Sequence, residues 1–214
     1  TNGTITVTNA IDINGTAAEV AAAVDDVNTF SGAATATLSD AHTLAELKAI
    51  NNKLSGTLTL NDYTVALSGS AADIAAALAG TFAAQYTGNV TISDADAGDI
   101  NATDINTIAS ATSGTITISN NVDINGTATA VSTAVGNVNT FSKAAVTATL
   151  STNHSLAELK AINNAVGGQL TLNSYAVALS GSTADVKAAL DGSFAATYTG
   201  NVTLGDATDA SIAA

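Results

Sequence analysis

Three sets of side chains hold most of the chemical possibilities in this sequence. His42 and His154 each fall just after a strand-like run and just before a helix-start signal. An imidazole there could serve as a base or a metal ligand. Zinc, however, needs several N or S donors, and neither histidine has a second His or a Cys nearby in sequence. A polar residue in a recurring turn is the plainer expectation. Asp94, Asp96 and Asp99, in the run Ser93-Asp94-Ala95-Asp96-Ala97-Gly98-Asp99, present alternating carboxylates of the kind that bind calcium through oxygen. The run lacks the terminal Glu of an EF-hand and the glycine-rich nonapeptide of a calcium β-roll. Capping and the helix dipole explain carboxylates near a helix start without any ion. The third set is threonine in T-x-T pairs: Thr4/Thr6, Thr35/Thr37, Thr57/Thr59, Thr115/Thr117 and Thr147/Thr149. Alternate residues of a strand share a face, so each pair would present two hydroxyls and two methyls on one side. Asn89/Thr91, Gln169/Thr171 and Asn201/Thr203 keep only the second threonine. Threonine is also simply favoured on an exposed strand face.

Around these sets there is little for an enzyme to use, and none is expected. No G-x-S-x-G elbow, phosphate-binding Gly-Lys-Ser/Thr loop or G-x-G-x-x-G fingerprint is present. Without cysteine there is no disulfide, thiolate zinc site or thiol nucleophile. The five cationic residues are all lysine, so no guanidinium can clamp a phosphate or carboxylate. A net charge of -13 argues against nucleic acid and anionic membrane surfaces as partners. No run of 18 apolar residues exists, so direct membrane insertion is not expected. Yet 46% of residues are hydrophobic and only 11% charged, which is not the balance of a disordered chain. Ala supplies 46 of the 214 residues and Thr another 33, an alphabet suited to a repeated scaffold.

Repetition is plain. Residues 3–30 recur at 114–141, an offset of 111; from Thr35 onward the offset is 112, after one insertion near residues 144–146. Leu-Ala-Glu-Leu-Lys-Ala-Ile-Asn-Asn occurs at 44–52 and 156–164, and Tyr-Thr-Gly-Asn-Val-Thr at 86–91 and 198–203. The chain thus divides into a first long repeat, 1–112, with four βα units, and a second, 113–214, with four units of which the last is truncated. Short alternating strands start near Thr4, Thr35, Thr57, Asn89, Thr115, Thr147, Gln169 and Asn201. Thr16-x-x-Glu19, Thr43-x-x-Glu46 and Ser155-x-x-Glu158 read as capping boxes that open helices. Ser70-x-x-Asp73, Asn101-x-x-Asp104 and Ser182-x-x-Asp185 are shorter-armed versions. Glycines at 56, 88, 114, 167–168 and 200 read as helix stops. Longer units add a second β-like segment before the helix, as in Ile11-Asp12-Ile13-Asn14-Gly15 and Val65-Ala66-Leu67-Ser68-Gly69. Tyr and Phe recur at equivalent positions, which predicts repeated core packing.

The fold class expected is α/β: a repetitive β-α solenoid with a parallel sheet and helices on one face. The alternative is a closed eight-stranded β/α barrel, since eight units is its number. The absence of a helix after the eighth strand favours the open form, and it also predicts a segment of a longer array. The start at Thr1, with no basic-then-apolar leader, predicts a removed leader or an internal piece.

The segment Leu67-Ser68-Gly69-Ser70-Ala71-Ala72-Asp73-Ile74-Ala75-Ala76-Ala77-Leu78, with Ile13-Asn14-Gly15-Thr16-Ala17-Ala18-Glu19-Val20, resembles the repeats of giant Ala/Thr/Gly-rich cell-surface proteins of marine cyanobacteria and other aquatic bacteria. Leu44-Ala45-Glu46-Leu47-Lys48-Ala49-Ile50-Asn51-Asn52-Lys53-Leu54-Ser55-Gly56 is similar to their intervening repeat. The resemblance covers nearly the whole chain. It implies an exported, extracellular, non-enzymatic component of an adhesin shaft, cell coat or filament, and it transfers no catalytic residue. Its implied partners are neighbouring repeats of a longer chain, or further copies stacked end to end. Calcium is the one cofactor left open. A second likeness is that of the T-x-T pairs to the ice-binding face of solenoid antifreeze proteins, which predicts a flat threonine ladder.

Overall fold

The computed structural model describes residues 3–206. Its element order is β1 (Thr6–Val7), β2 (Asp12–Gly15), α1 (Ala17–Asp26), β3 (Thr29–Phe30), β4 (Thr35–Leu38), α2 (Leu44–Lys53), β5 (Thr57–Thr59), β6 (Leu67–Gly69), α3 (Ala71–Leu78), β7 (Thr81–Phe82), β8 (Val90–Ile92), β9 (Asp99–Asn101) and α4 (Ala102–Ala111). The second long repeat follows with β10 (Ile116–Ile118), β11 (Asp123–Gly126), α5 (Ala128–Asn137), β12 (Thr140–Phe141), β13 (Thr147–Leu150), α6 (Leu156–Ala165), β14 (Gln169–Thr171), β15 (Leu179–Gly181), α7 (Thr183–Leu190), β16 (Ser193–Phe194) and β17 (Val202–Leu204). The protein is therefore α/β, with seven helices and several parallel sheets among the described residues.

The chain separates into two compact units, residues 1–93 with 107–117, and residues 94–106 with 118–214. In the first unit β2, β4, β5 and β7 form one parallel ladder, with Ile13 opposite Ala36, Ala36 opposite Leu58 and Leu58 opposite Phe82. β1 pairs with β3, and β6 with β8. In the second unit β9, β11, β13, β14 and β16 form the corresponding ladder: Ile100 faces Ile124, Ile124 faces Ala148, Ala148 faces Leu170 and Leu170 faces Phe194. β15 pairs with β17. The barrel alternative is overturned. Each of these ladders is open, with a first and a last strand, and none closes on itself. Closure needs strands tilted and staggered around one ring; here the pairing moves on to a new ladder instead.

All eight alternating strands expected from the sequence form; of the apolar residues expected to face inward, Ala36, Leu38, Leu58, Leu60, Val90, Ile92, Ile116, Ile118, Ala148, Leu150, Leu170 and Leu172 are buried, whereas Val7 and Leu204 are half-buried and Ile5 and Val202 are exposed. Helix starts also follow the sequence. Thr16, Thr43 and Ser155 make complete capping boxes with Glu19, Glu46 and Glu158. Ser70 and Ser182 cap through their hydroxyls alone, each accepting from the backbone of an Asp whose side chain is a methylene shorter than Glu. Asn101 instead accepts from Thr103, at 3.2 Å from the amide and 3.0 Å from the hydroxyl, so the box expected with Asp104 gives way to a tighter Asx-type turn.

Glycines do not stop the helices. The caps at Val27, Leu54, Val138 and Val166 are extended, because each of these apolar residues turns straight into the core and is buried. The glycines expected as stops do another job. A Cβ on Gly56 would lie 2.4 Å from the Ala34 carbonyl oxygen, on Gly88 2.0 Å from Val65 O, on Gly168 2.6 Å from Val146 O, and on Gly200 1.9 Å from Val177 O. They sit where one pass of the chain lies directly over the carbonyls of another.

This separates two kinds of glycine. Gly88→Ala is expected to destabilise the fold by about 1–3 kcal/mol, the usual penalty for overpacking. Gly136, inside α5 with nothing within 4 Å of its missing Cβ, should stabilise by about 0.5 kcal/mol when changed to Ala. Urea unfolding of the two variants measures both. Equal midpoints would show that the contact at Gly88 yields freely.

Candidate functional site

The outward face of each ladder carries the threonines. In the first unit Thr37 lies opposite Thr59, Thr57 opposite Thr81, and Thr35 opposite Asp12. In the second unit Thr149 lies opposite Thr171, but Thr147 opposite Asp123 and Gln169 opposite Ser193. Thr6 pairs with Thr29 on the separate β1–β3 ladder; Thr4 and Thr115 precede β1 and β10 rather than lying in them. Thr117 lies in the middle of β10. The T-x-T pairs thus share short ladders, two threonine pairs at most side by side. Several of their hydroxyls are committed: Thr35 Oγ1 donates to Asp12 Oδ1 at 2.7 Å, and Thr147 Oγ1 to Asp123 Oδ1 at 2.8 Å. The sequence reading missed Asp12 and Asp123. Their repeated position before Ile13 and Ile124 was the available signal, since alternation puts them on the threonine face.

The acidic segment is ordered by hydrogen bonds. Asp96 Oδ1 accepts from Asn121 N–H at 2.9 Å, Asn120 Nδ2 donates to Asp94 O at 2.7 Å, and Ala97 N–H donates to Asn121 O at 2.6 Å. Asp99 lies in β9, opposite Asp123. Among the described residues no three His, Cys, Asp or Glu side chains converge as metal donors, so Asp94, Asp96 and Asp99 are not brought together as a calcium cage. Ala97 adopts a left-handed φ of 61°, completing the turn closed by Gly98 N–H to Ala95 O. Burial, and then the charge of Asp94, push the half-buried Asp104 carboxyl above its ordinary value.

The histidines lie in the strand-to-helix connections expected of them, but they are not exposed there. Both are buried, each against a tyrosine 44 residues further on. His42 Nε2 lies 3.2 Å from Tyr86 Oη, and His154 Nε2 3.0 Å from Tyr198 Oη. Each tyrosine hydroxyl donates onward, Tyr86 to Val65 O at 2.6 Å and Tyr198 to Val177 O at 2.7 Å. With that hydrogen spent, the imidazole must be the donor in the other bond, which fixes the Nε2–H tautomer. Nδ1 of each is then a bare acceptor, buried and without a partner. Phe82 and Phe194 pack obliquely on the same tyrosines, ring centroids 6.1 and 6.3 Å apart. The recurring 44-residue interval was the sequence signal that would have paired them.

Burial pushes both imidazoles below the ordinary histidine value of 6.5; Asp62, Glu46 and Asp40 around His42, and Glu158 near His154, oppose that shift without cancelling it. Burial likewise raises both tyrosine hydroxyls, with the charge of Asp62 adding to it at Tyr86. The trio is a neutral clasp: it holds no charge and offers no accessible base. Elsewhere two open grooves repeat, one beside Lys48 and Asp73 and one beside Lys160 and Asp185. In each the ammonium is paired with the carboxylate of the next helix, so the polar groups are already engaged.

Compared with known proteins, the chain matches no family model, no curated protein and no solved structure.

The clasp makes a pH signature. The unfolded imidazoles protonate as pH falls through about 6.5 while the folded ones resist, so the unfolded state binds more protons. Stability should be flat well above about pH 6.5 and decline as the pH falls through about 6.5, until the folded imidazoles are protonated as well. The depressed carboxylates, Glu19, Asp73, Glu158 and Asp185 among them, should withdraw their stabilisation only further down, below their ordinary values of 4.5 and 3.8. Urea unfolding across that range, with a His42→Gln/His154→Gln chain beside it, checks the assignment: the upper slope should vanish in the double variant. A slope that persists there belongs to other groups.

Proposed function

We propose that this chain is a structural segment of an extracellular surface assembly, an adhesin shaft, coat or filament, built as a solenoid whose successive βα passes stack along one axis. The observation that supports this most directly is the sameness of the contacts from pass to pass. Thr35 N–H donates to Ile11 O, Ser39 to Gly15, Ala83 to Leu58, Thr147 to Val122, Ser151 to Gly126 and Ala195 to Leu170, each joining one pass to the next at 2.8–3.0 Å. Side-chain bonds repeat the pattern, with Lys48–Asp73 and Lys160–Asp185 at the same separation of 25 residues. Such nearest-neighbour construction yields length and regularity rather than a concave catalytic centre. The resemblance to repeats of giant bacterial surface proteins points the same way. In this reading the chain is not an enzyme and needs no cofactor. Its partners are neighbouring repeats or further copies, and the acidic sides keep parallel assemblies apart.

An ice-binding face is the second reading, favoured by Thr37 beside Thr59 and Thr57 beside Thr81. Ice recognition would need that threonine plane to be wide and flat; Asp12 and Asn14 of β2 end it beside β4, and β7 adds only Thr81 on the other side.

Electron microscopy of native surface material tests the first reading. Eight passes at about 4.8 Å each predict fibres or sheets with an axial repeat of about 38 Å per segment. Discrete short particles with no such repeat would sink it. Thermal hysteresis that Thr37→Lys and Thr59→Lys abolish would put the ice reading in its place.

A further inference from the structure

The His42 clasp ties three successive passes together. His42 belongs to the β4–α2 connection, Val65 to the β5–β6 connection and Tyr86 to the β7–β8 connection. The middle pass is held at its corner, residues 61–66, from both neighbours. From the next pass the Thr87 and Gly88 N–H groups donate to Tyr63 O at 2.9 and 3.1 Å. From the previous pass Ser39 O accepts from Asn61 Nδ2 at 3.1 Å. The corner has no ladder bond of its own, so these few contacts and the clasp keep it in place.

A proton can enter the clasp at one atom only. The tyrosine spends its hydrogen on Val65 O and the imidazole spends its Nε2 hydrogen on the tyrosine, which leaves Nδ1 as the basic site. Nδ1 is buried with no hydrogen-bond partner, on a side chain that is 3% exposed. Protonation there creates a full charge and a new N–H donor with nothing to receive either. A buried charge and donor left unpaired are both costly, so the charged imidazole is driven out of the clasp.

What awaits it differs between the two long repeats. Three carboxylates act on His42: Asp40 just before it, Glu46 in the first turn of α2, and Asp62 in the corner itself. With Tyr86 these are the titratable groups that face it. Asp62 Oδ1 accepts from the Thr64 N–H and hydroxyl, both at 2.7 Å, and these bonds hold its carboxyl below the ordinary 3.8. It therefore stays ionised throughout the range in which an imidazole titrates. In the second repeat Thr152 and Ser174 stand where the first has Asp40 and Asp62, and the groups facing His154 are Glu158 and Tyr198.

We infer that the corner 61–66 is an acid-released latch: protonation of His42 at Nδ1 draws the imidazole out toward Asp40 and Asp62, frees Tyr86 from it, and loosens the corner while α2 and α3 stay folded. The duplicate corner, residues 173–178, lacks the two receiving carboxylates and opens only at lower pH. The latch is a property of the single chain and stands apart from the surface-assembly reading.

Hydrogen exchange and imidazole nitrogen spectra of the purified 214-residue chain, from about pH 8 to about pH 5, test this. His42→Gln assigns the ring signals. Protection of the Thr87 and Gly88 amides, corrected for the intrinsic pH dependence of exchange, should fall about tenfold per pH unit below about 6.5. The fall should track the charging of His42, while the Leu54 and Ile74 amides, bonded to Ile50 O and Ser70 O, keep their protection. His154 should charge at lower pH. Exchanging the surroundings supplies the sharper contrast. Asp40→Thr/Asp62→Ser installs residues that the second repeat already carries, and should move the first clasp down to the pH of the second; Thr152→Asp/Ser174→Asp should raise the second. His42 charging with Thr87 and Gly88 still protected would overturn the latch, because the closed clasp would then be holding the charge. Protection lost only together with Leu54 and Ile74 would make the event general unfolding, and exchanged chains with unmoved midpoints would take the carboxylates out of it; either result also overturns it. Whether native material forms fibres bears on none of these readouts.

Discussion

How closely one pass of the chain lies over the next governs nearly everything else. Neighbouring strands in a ladder sit about 4.8 Å apart, and the segments leading into them must keep that spacing. At Gly56, Gly88, Gly168 and Gly200 the overlying backbone comes so near a carbonyl oxygen that not even a methyl group fits. Packed helices, by contrast, ordinarily lie 8–10 Å apart. A chain that contributes one helix to nearly every pass has to keep those helices thin. Ala17, Ala71, Ala75, Ala77, Ala128 and Ala134 are buried on helix faces for that reason. The 46 alanines, and the absence of Trp, Met and Pro, follow from the same constraint. Bulky residues would wedge passes apart, and a proline would remove a ladder donor.

Polar groups on this scaffold set register more than they add stability. Asp12 with Thr35, Asp123 with Thr147, Lys48 with Asp73, and Asn163 Nδ2 with Ala188 O at 2.9 Å all join one pass to the next. The ion pairs are substantially exposed, so each contributes on the order of 0–1 kcal/mol. Their effect is on specificity. A one-residue slip would turn Leu58 and Leu170 to solvent and Thr57 and Thr171 to the core. It would also separate every one of these partners at once. The same contacts recur about a hundred residues later, so the second long repeat inherits its register from the same few side chains.

Most local signals were legible in the sequence, and distant ones were not. A capping box lies within four residues, so Thr16, Thr43 and Ser155 announced their helices, and alternation over three or four residues marked β4, β8 and β13. The two-residue strands β3, β7, β12 and β16 carry no alternation to detect; each exists because a neighbouring pass offers its edge. Glycine is ambiguous by nature, since a helix stop and a close backbone approach both call for it. Only the position of the Ala34 or Val65 carbonyl decides between them. His42 and Tyr86 are 44 residues apart, and no local rule links them. The Asp94-x-Asp96 pattern suggested an ion because sequence spacing alone cannot show that Asp96 already holds the Asn121 amide.

The duplication acts as an internal control on where burial comes from. Val90 and Val202 have the same neighbours in sequence, strands of the same length and the same partner on one side, β6 for one and β15 for the other. Val90 is covered by the following pass, whose Thr115 O accepts its N–H, whereas Val202 is exposed among the described residues. Local sequence therefore determines the shape of a pass, while its burial is conferred by what comes after it. That division makes each pass indifferent to its position in the series.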